Sequence, residues 1–133
     1  MKNPLKHILL VDDSPATNFF NETVIKKCDL TQNISVALNG AEALTFFDET
    51  KSTLSTPEII FLDINMPIMN GWEFLDNYKK LNIKNSIVIL MIGSNLQPND
   101  KEKLKNYHFI KGDSQKMLNK EFLYNIVNEH FDL

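Results

Sequence analysis

The sequence predicts an α/β protein built on a parallel sheet, and three observations predict it. Two short, wholly apolar runs, Ile8-Leu9-Leu10-Val11 and Ile59-Ile60-Phe61-Leu62, end abruptly in carboxylates, Asp12-Asp13 and Asp63. Continuous apolar runs of this length read as strands buried on both faces, as in a sheet covered by helices. Strand and helix patterns alternate five times along the 133 residues, the signature of parallel strands joined by helical crossovers.

Taken in order, residues 7–11 read as the first strand, and Asp13-Ser14-Pro15 supplies a cap with Pro at the helix start. The helix that follows, Pro15 to Lys27, is expected to bury Phe19, Phe20, Val24 and Ile25. Ile34 to Leu38 is a second strand, Asn39-Gly40 a turn, and Ala41 to Asp48 the second helix. Lys51 to Pro57 reads as a flexible loop. Glu58 to Leu62 is the third strand, and Gly71 to Leu81 its helix, with Trp72, Phe74, Leu75 and Tyr78 at helical spacing. Ile87 to Ile92 is the fourth strand and Pro98 to Tyr107 a short charged helix. The fifth strand falls on His108-Phe109-Ile110-Lys111, because Gly112-Asp113-Ser114-Gln115 makes a poor buried strand. Met117 to Phe131 is the last helix, with Leu118, Phe122, Leu123, Ile126, Val127 and His130 repeating at three and four.

Five such units imply a flavodoxin-like, doubly wound five-stranded parallel sheet of order 2-1-3-4-5 with five helices. Strands one and three are then neighbours at the switch point, where ligands collect beyond the carboxyl ends of strands. That brings Asp12, Asp13 and Asp63 together.

The remaining composition narrows the field. The length fits a single domain spanning 1–133, with a core over 6–131 and no output domain. A net charge of −3 without a basic cluster speaks against a nucleic-acid surface. The single cysteine, Cys28, excludes an internal disulfide and fits a small buried hydrophobe in a reducing compartment. No apolar stretch reaches membrane-spanning length and no signal peptide is evident, so a cytoplasmic protein without a membrane partner is expected.

Carboxylates crowded into one pocket repel each other unless a cation is bound, and oxygen-only ligation suits Mg²⁺. Asp13 and Asp63 can offer side-chain oxygens, Asn65 its backbone carbonyl, and Asp12 would act through bound water. One aspartate can then attack phosphorus to give an aspartyl phosphate.

Val11-Asp12-Asp13-Ser14 and the run Asp63-Ile64-Asn65-Met66-Pro67-Ile68-Met69-Asn70-Gly71-Trp72-Glu73-Phe74-Leu75 resemble the receiver domain of two-component response regulators, of the single-domain chemotaxis type. Ala37-Leu38-Asn39-Gly40-Ala41-Glu42-Ala43-Leu44 is a weaker match. The resemblance implies that Asp63 is the phosphoacceptor, that Asp12, Asp13, Asp63 and Asn65 hold Mg²⁺, and that Met66-Pro67 and Gly71 shape the adjoining loop. It implies a sensor histidine kinase or phosphotransfer protein as donor and a downstream protein target as recipient of the signal.

The chain departs from the family pattern in two places. The hydroxyl residue at the end of the fourth strand corresponds to Gly93 without a gap, or to Ser94 after a shift of one residue; only Ser94 has the hydroxyl. The family's Lys-Pro becomes Lys116-Met117, which puts Asp113 at the switch-aromatic position. A rival alignment makes Lys111 the functional lysine and places His108 in the aromatic slot; spacing favours Lys116. The acceptor chemistry thus reads as intact and the output switch as rebuilt or lost.

Plainer readings exist for single residues. Asp12-Asp13 alone could cap a helix, Asn70 reads as an ordinary turn residue, and His7, His108 and His130 lack metal-ligand spacing. Lys101, Lys103 and Lys105 read as a solvated face. The function expected is that of a phosphoacceptor acting through protein contacts, with at most slow autodephosphorylation and no enzymatic turnover. The alternative is a pseudo-receiver, an interaction domain independent of phosphorylation. A haloacid-dehalogenase-like phosphatase would want an acid/base aspartate where Asn65 stands.

Overall fold

The computed structural model describes residues 4–48, 55–92 and 97–131. Strand β1 (Ile8–Val11) leads to α1 (Pro15–Lys27), β2 (Ile34–Ala37) to α2 (Gly40–Thr45), and β3 (Ile59–Asp63) to α3 (Gly71–Lys80). β4 (Ile87–Met91) precedes α4 (Pro98–Leu104), and β5 (Ile110–Ser114) precedes α5 (Lys120–His130). All neighbouring strands are parallel and the sheet order is β2-β1-β3-β4-β5, as the alternating pattern implies. No helix among the described residues is long and apolar enough to cross a membrane.

Side chains alternate across a strand, and here both sets are apolar because helices cover both faces. Ile8, Leu10, Ile59, Phe61, Ile87, Ile89 and Met91 enter one core with Ile25, Leu123, Ile126 and Val127. Leu9, Val11, Ile60, Leu62, Val88 and Leu90 enter the other with Phe74, Leu75 and Tyr78. Full burial of each such branched or aromatic side chain contributes about 1.5–3 kcal/mol. The register Val11↔Leu62 lines up the ends of β1 and β3. Asp12 then follows Ile8 and Leu10, and Asp63 follows Ile59 and Phe61, on the same side of the sheet.

The structure corrects four expectations. β5 runs from Ile110 to Ser114, through the polar segment, whereas the apolar residue Phe109 packs beneath Tyr78 at 4.7 Å and its carbonyl accepts from the Val88 amide at 3.0 Å. An edge strand alternates between half-buried and exposed positions and needs no apolar run; polar edges also resist pairing with other chains. A register irregularity between Val88 and Ile89 brings Gly112 opposite Ile89.

α1 keeps its expected ends but turns a different face inward. Asn18, Asn21 and Ile25 are buried, while Phe19 is 62% and Phe20 43% exposed. The reason is polar: both asparagine amides find partners on the loops beside the carboxylates. α5 starts at Lys120, not Met117, because Asn119 takes an extended conformation and caps the helix by accepting from the Phe122 amide. α4 ends at Leu104 and none of its residues is buried, which leaves Tyr107 to enter the core outside the helix. The other strand and helix ends coincide with expectation or differ by at most three residues, the usual uncertainty of element boundaries. Of the loop expected over 51–57, residues 51–54 lie outside the described residues.

The β3–α3 connection is tightly determined. The Gly71 amide donates to the Ile64 carbonyl at 2.8 Å, and a Cβ on Gly71 would lie 2.7 Å from Ile64 Cα and 2.8 Å from the Asp63 carbonyl oxygen. Asn70 caps α3 through a reciprocal pair with Glu73, so it is more than a turn residue. Ile68 has φ 68° and is 84% exposed, a strained conformation for a β-branched residue with no burial to offset it.

Two stability changes of opposite sign are therefore expected in urea titrations. Gly71→Ala destabilises by about 2 kcal/mol through overpacking against backbone, and an unchanged midpoint would contradict the close approach. Ile68→Asn stabilises by about 1 kcal/mol, because Asn accepts the left-handed conformation more readily; a loss of stability would show that the Ile68 side chain makes contacts that outweigh the strain.

Candidate functional site

The ends of β1 and β3 deliver three carboxylates to one place. One oxygen from each of Asp12, Asp13 and Asp63 lies within 4.8 Å of the others. Asp12 and Asp63 are buried, at 5% and 3% exposure, and Asp13 is exposed at the mouth. The β1–α1 turn fixes Asp12: its Oδ1 accepts from the Ser14 amide at 2.9 Å, and its carbonyl accepts from Asn18 Nδ2 at 2.8 Å. Ser14 in turn caps α1 by accepting from the Thr17 amide at 3.3 Å.

A cation of the chain already reaches this cluster. Lys116, on the connection between β5 and α5, places Nζ 2.7 Å from Asp63 Oδ1 and 3.5 Å from Asp12 Oδ2. Burial pushes the Asp12 carboxyl above the ordinary aspartate range. The Ser14 amide pulls it down, the Asp63 charge adds to the rise, and the Lys116 charge and hydrogen bond oppose it. Partial burial by itself would lower the Lys116 ammonium, but the hydrogen bond and charge of Asp63, joined by Asp12, hold it above the usual lysine value.

The other residues singled out by sequence are dispersed. Lys111 is exposed on the edge strand, Asp113 is exposed two residues along it, and His108 is exposed with an edge-on contact to Phe109. Asn65 is exposed, two residues past Asp63. Gly93 and Ser94 lie outside the described residues. His7 is fully buried, with its ring nitrogens 2.5 Å from the Ser55 carbonyl and 2.7 Å from Ser35 Oγ, a satisfied core histidine. Cys28 is buried, as expected. Sequence reasoning missed the supporting amides Asn18 and Asn21. The available signal was two asparagines one turn apart on the helix that leaves the acidic strand end, where phenylalanines offered a more conspicuous stripe.

Known proteins extend this picture. The family model of the response regulator receiver domain matches residues 8–126. A protein-glutamate methylesterase/protein-glutamine glutaminase of Treponema denticola is 38% identical over 86 residues, which cover 62% of this chain and 21% of that protein. The chain thus spans about a fifth of the length of such relatives. A two-component response regulator from Cytophaga hutchinsonii has a solved structure with TM-score 0.80 and 32% identity, covering 92% of this chain and 94% of that one. The Mn(2+)-bound form of response regulator Rcp1 is similar at TM-score 0.72 and 25% identity, covering 94% of this chain and 91% of that one.

Asp12 is expected to titrate above the ordinary aspartate range in ¹³C NMR of metal-free protein, and Asp63→Asn to lower its midpoint. A carboxyl whose folded pKa is raised favours the fold most below its unfolded value of 3.8, and that contribution is lost as pH rises through the folded value. Asp63→Asn should shrink this loss. A midpoint at or below the ordinary value, or one that Asp63→Asn leaves in place, would contradict the charge coupling.

Proposed function

The chain belongs to the response regulator receiver domain family, and from that premise we propose that it accepts a phosphoryl group on Asp63 in two-component signalling or a phosphorelay. The observation that carries this reading is the Lys116 ammonium lying between Asp63 and Asp12 at the acidic edge of the sheet. The proposed donor is the phosphohistidine of a sensor histidine kinase or phosphotransfer protein, and the proposed output is contact with a downstream protein target in the cytoplasm.

The donor set fits Mg²⁺: oxygens only, three carboxylates converging, one of them exposed and open to a hydrated ion. Asp13 and Asp63 would hold the ion with the Asn65 backbone carbonyl, and Asp12 would do so through water. That the similar response regulator Rcp1 has a Mn(2+)-bound form supports a divalent ion as ligand of this chain. When bound, the cation neutralises charge on the transferring phosphoryl oxygens.

The chain's own residues do the rest. An Asp63 carboxylate oxygen attacks phosphorus as the P–N bond to the donor imidazole breaks, and the bonding pair leaves with the imidazole nitrogen. The product is a mixed anhydride on Asp63. Lys116 transfers its hydrogen bond from Asp63 Oδ1 to a phosphoryl oxygen, so the site gains a dianion without leaving the ammonium unpaired. Ser94 is the proposed hydroxyl partner of a second phosphoryl oxygen. Burial of the Asp63 carboxylate restricts the approach of water, and on this reading autodephosphorylation is slow and the domain is an acceptor without enzymatic turnover.

Intact-mass analysis after incubation with acetyl phosphate should show one phosphoryl adduct that requires Mg²⁺ and is absent from Asp63→Ala. Failure to form it, beside a receiver that does, would favour the pseudo-receiver reading, a phosphorylation-independent interaction domain. The exposed Asp113 on β5 and the Met117 that follows Lys116 make that the alternative to test against.

A further inference from the structure

Lys116 is a long side chain on a short connection, held between Ser114 at the end of β5 and the Asn119 cap of α5. Its neighbour Met117 is 51% exposed and gives the connection little anchorage. The backbone around Lys116 is nevertheless gripped from another element. Asn21 Nδ2 on α1 donates to the Lys116 carbonyl at 2.9 Å, and Asn21 Oδ1 accepts from the Leu118 amide at 2.9 Å. One amide therefore closes a two-bond bridge over residues 116–118, as a strand partner would, and it does so while 3% exposed.

The same helix grips the other side of the site. One turn earlier, Asn18 Nδ2 donates to the Asp12 carbonyl at 2.8 Å. α1 is a continuous helix from Pro15 to Lys27, so the spacing of these two asparagines is fixed by helical geometry. It acts as a ruler, with the backbone of Asp12 at one mark and that of Lys116 at the next. This explains why two polar residues occupy the buried face of α1 while Phe19 and Phe20 face outward.

From this geometry we infer that Asn21 is a positioning residue for Lys116: it sets the reach of the ammonium to Asp63 by bridging the backbone on either side of Met117. Only a side chain with a donor and an acceptor at this distance serves. Asp lacks the donor, Leu lacks both groups, and Gln carries them one methylene too far. The role in phosphoryl transfer rests on the receiver reading, whereas the placement of Lys116 does not.

The experiment compares the unmodified chain with Asn21→Leu, Lys116→Ala and the double variant, using two readouts. Asn21→Ser, which leaves room for a bridging water, replaces Asn21→Leu if the latter does not fold. Crystal structures should show Lys116 Nζ drawn out of contact with Asp63 once Asn21 is replaced; an ion pair kept at its present distance overturns the inference. The Mg²⁺-dependent rate of adduct formation with acetyl phosphate should fall about tenfold or more in the single variant. In the Lys116→Ala background the same substitution should change the rate less than about twofold, since residues that act through one group are non-additive. Equal losses in both backgrounds, or no loss, would mark Asn21 as a general packing residue and overturn the inference. If the unmodified chain forms no adduct, the receiver reading fails, and the pair of structures still decides the role of Asn21.

Discussion

Two carboxylates, Asp12 and Asp63, are buried side by side at the carboxyl edge of the sheet, and the surrounding architecture answers the cost of keeping them there. Like charges taken out of water repel each other and require either protonation or a counter-charge. The chain supplies hydrogen bonds from the Ser14 amide to Asp12 and an ammonium from Lys116 to both acids. Asp13, exposed at the mouth, adds a third negative group that Lys116 alone does not neutralise. The site is thus electrostatically incomplete in a direction that favours a divalent cation. Three carboxylates against one ammonium leave two negative charges uncompensated, which one divalent cation offsets before a phosphoryl group arrives.

The three acids themselves are placed by elements with little freedom. β1 and β3 are hydrogen-bonded neighbours whose register aligns Val11 with Leu62, so the two acidic ends coincide. Gly71 lets α3 begin against the Ile64 backbone, which fixes the path of the chain after Asp63. The Gly40 amide donates to the Met69 carbonyl at 2.8 Å, tying the start of α2 to the same loop. By contrast, α4 buries none of its residues and β5 is a polar edge strand. Its surroundings are held by tips and surfaces: Tyr107 donates to Asp76 at 2.6 Å, and the Lys103 ammonium lies 5.0 Å from the Trp72 ring. A rigid acidic end therefore faces a less deeply packed flank, and Lys116 hangs on the connection that leads out of it.

How much of this was legible in the sequence depends on the kind of signal each part emits. Strands buried on both faces announce themselves as apolar runs, and β1, β3 and β4 were read to within a residue. The acidic residues were visible because a carboxylate directly after such a run has few structural uses. β5 was misplaced because an edge strand is half solvated and needs no apolar run; the apolar residue nearby, Phe109, serves the core ahead of the strand. The buried face of α1 was misread because its selection is polar. Asn18 and Asn21 are inside for the backbone groups they satisfy on distant loops, and a periodicity of hydrophobic residues carries no trace of that. Spacing favours Lys116 over Lys111, and the structure places Lys116 against Asp63 and leaves Lys111 on the exposed edge.

The most direct test of the central claim is a crystal structure of the chain with Mg²⁺ and beryllofluoride. The account predicts a trifluoroberyllate on an Asp63 carboxylate oxygen, a cation held beside it by Asp13, and Lys116 Nζ shifted from Asp63 Oδ1 onto a fluorine. An acidic pocket that binds neither ion, or an anion bound while the Lys116–Asp63 ion pair stays as it is, would contradict it.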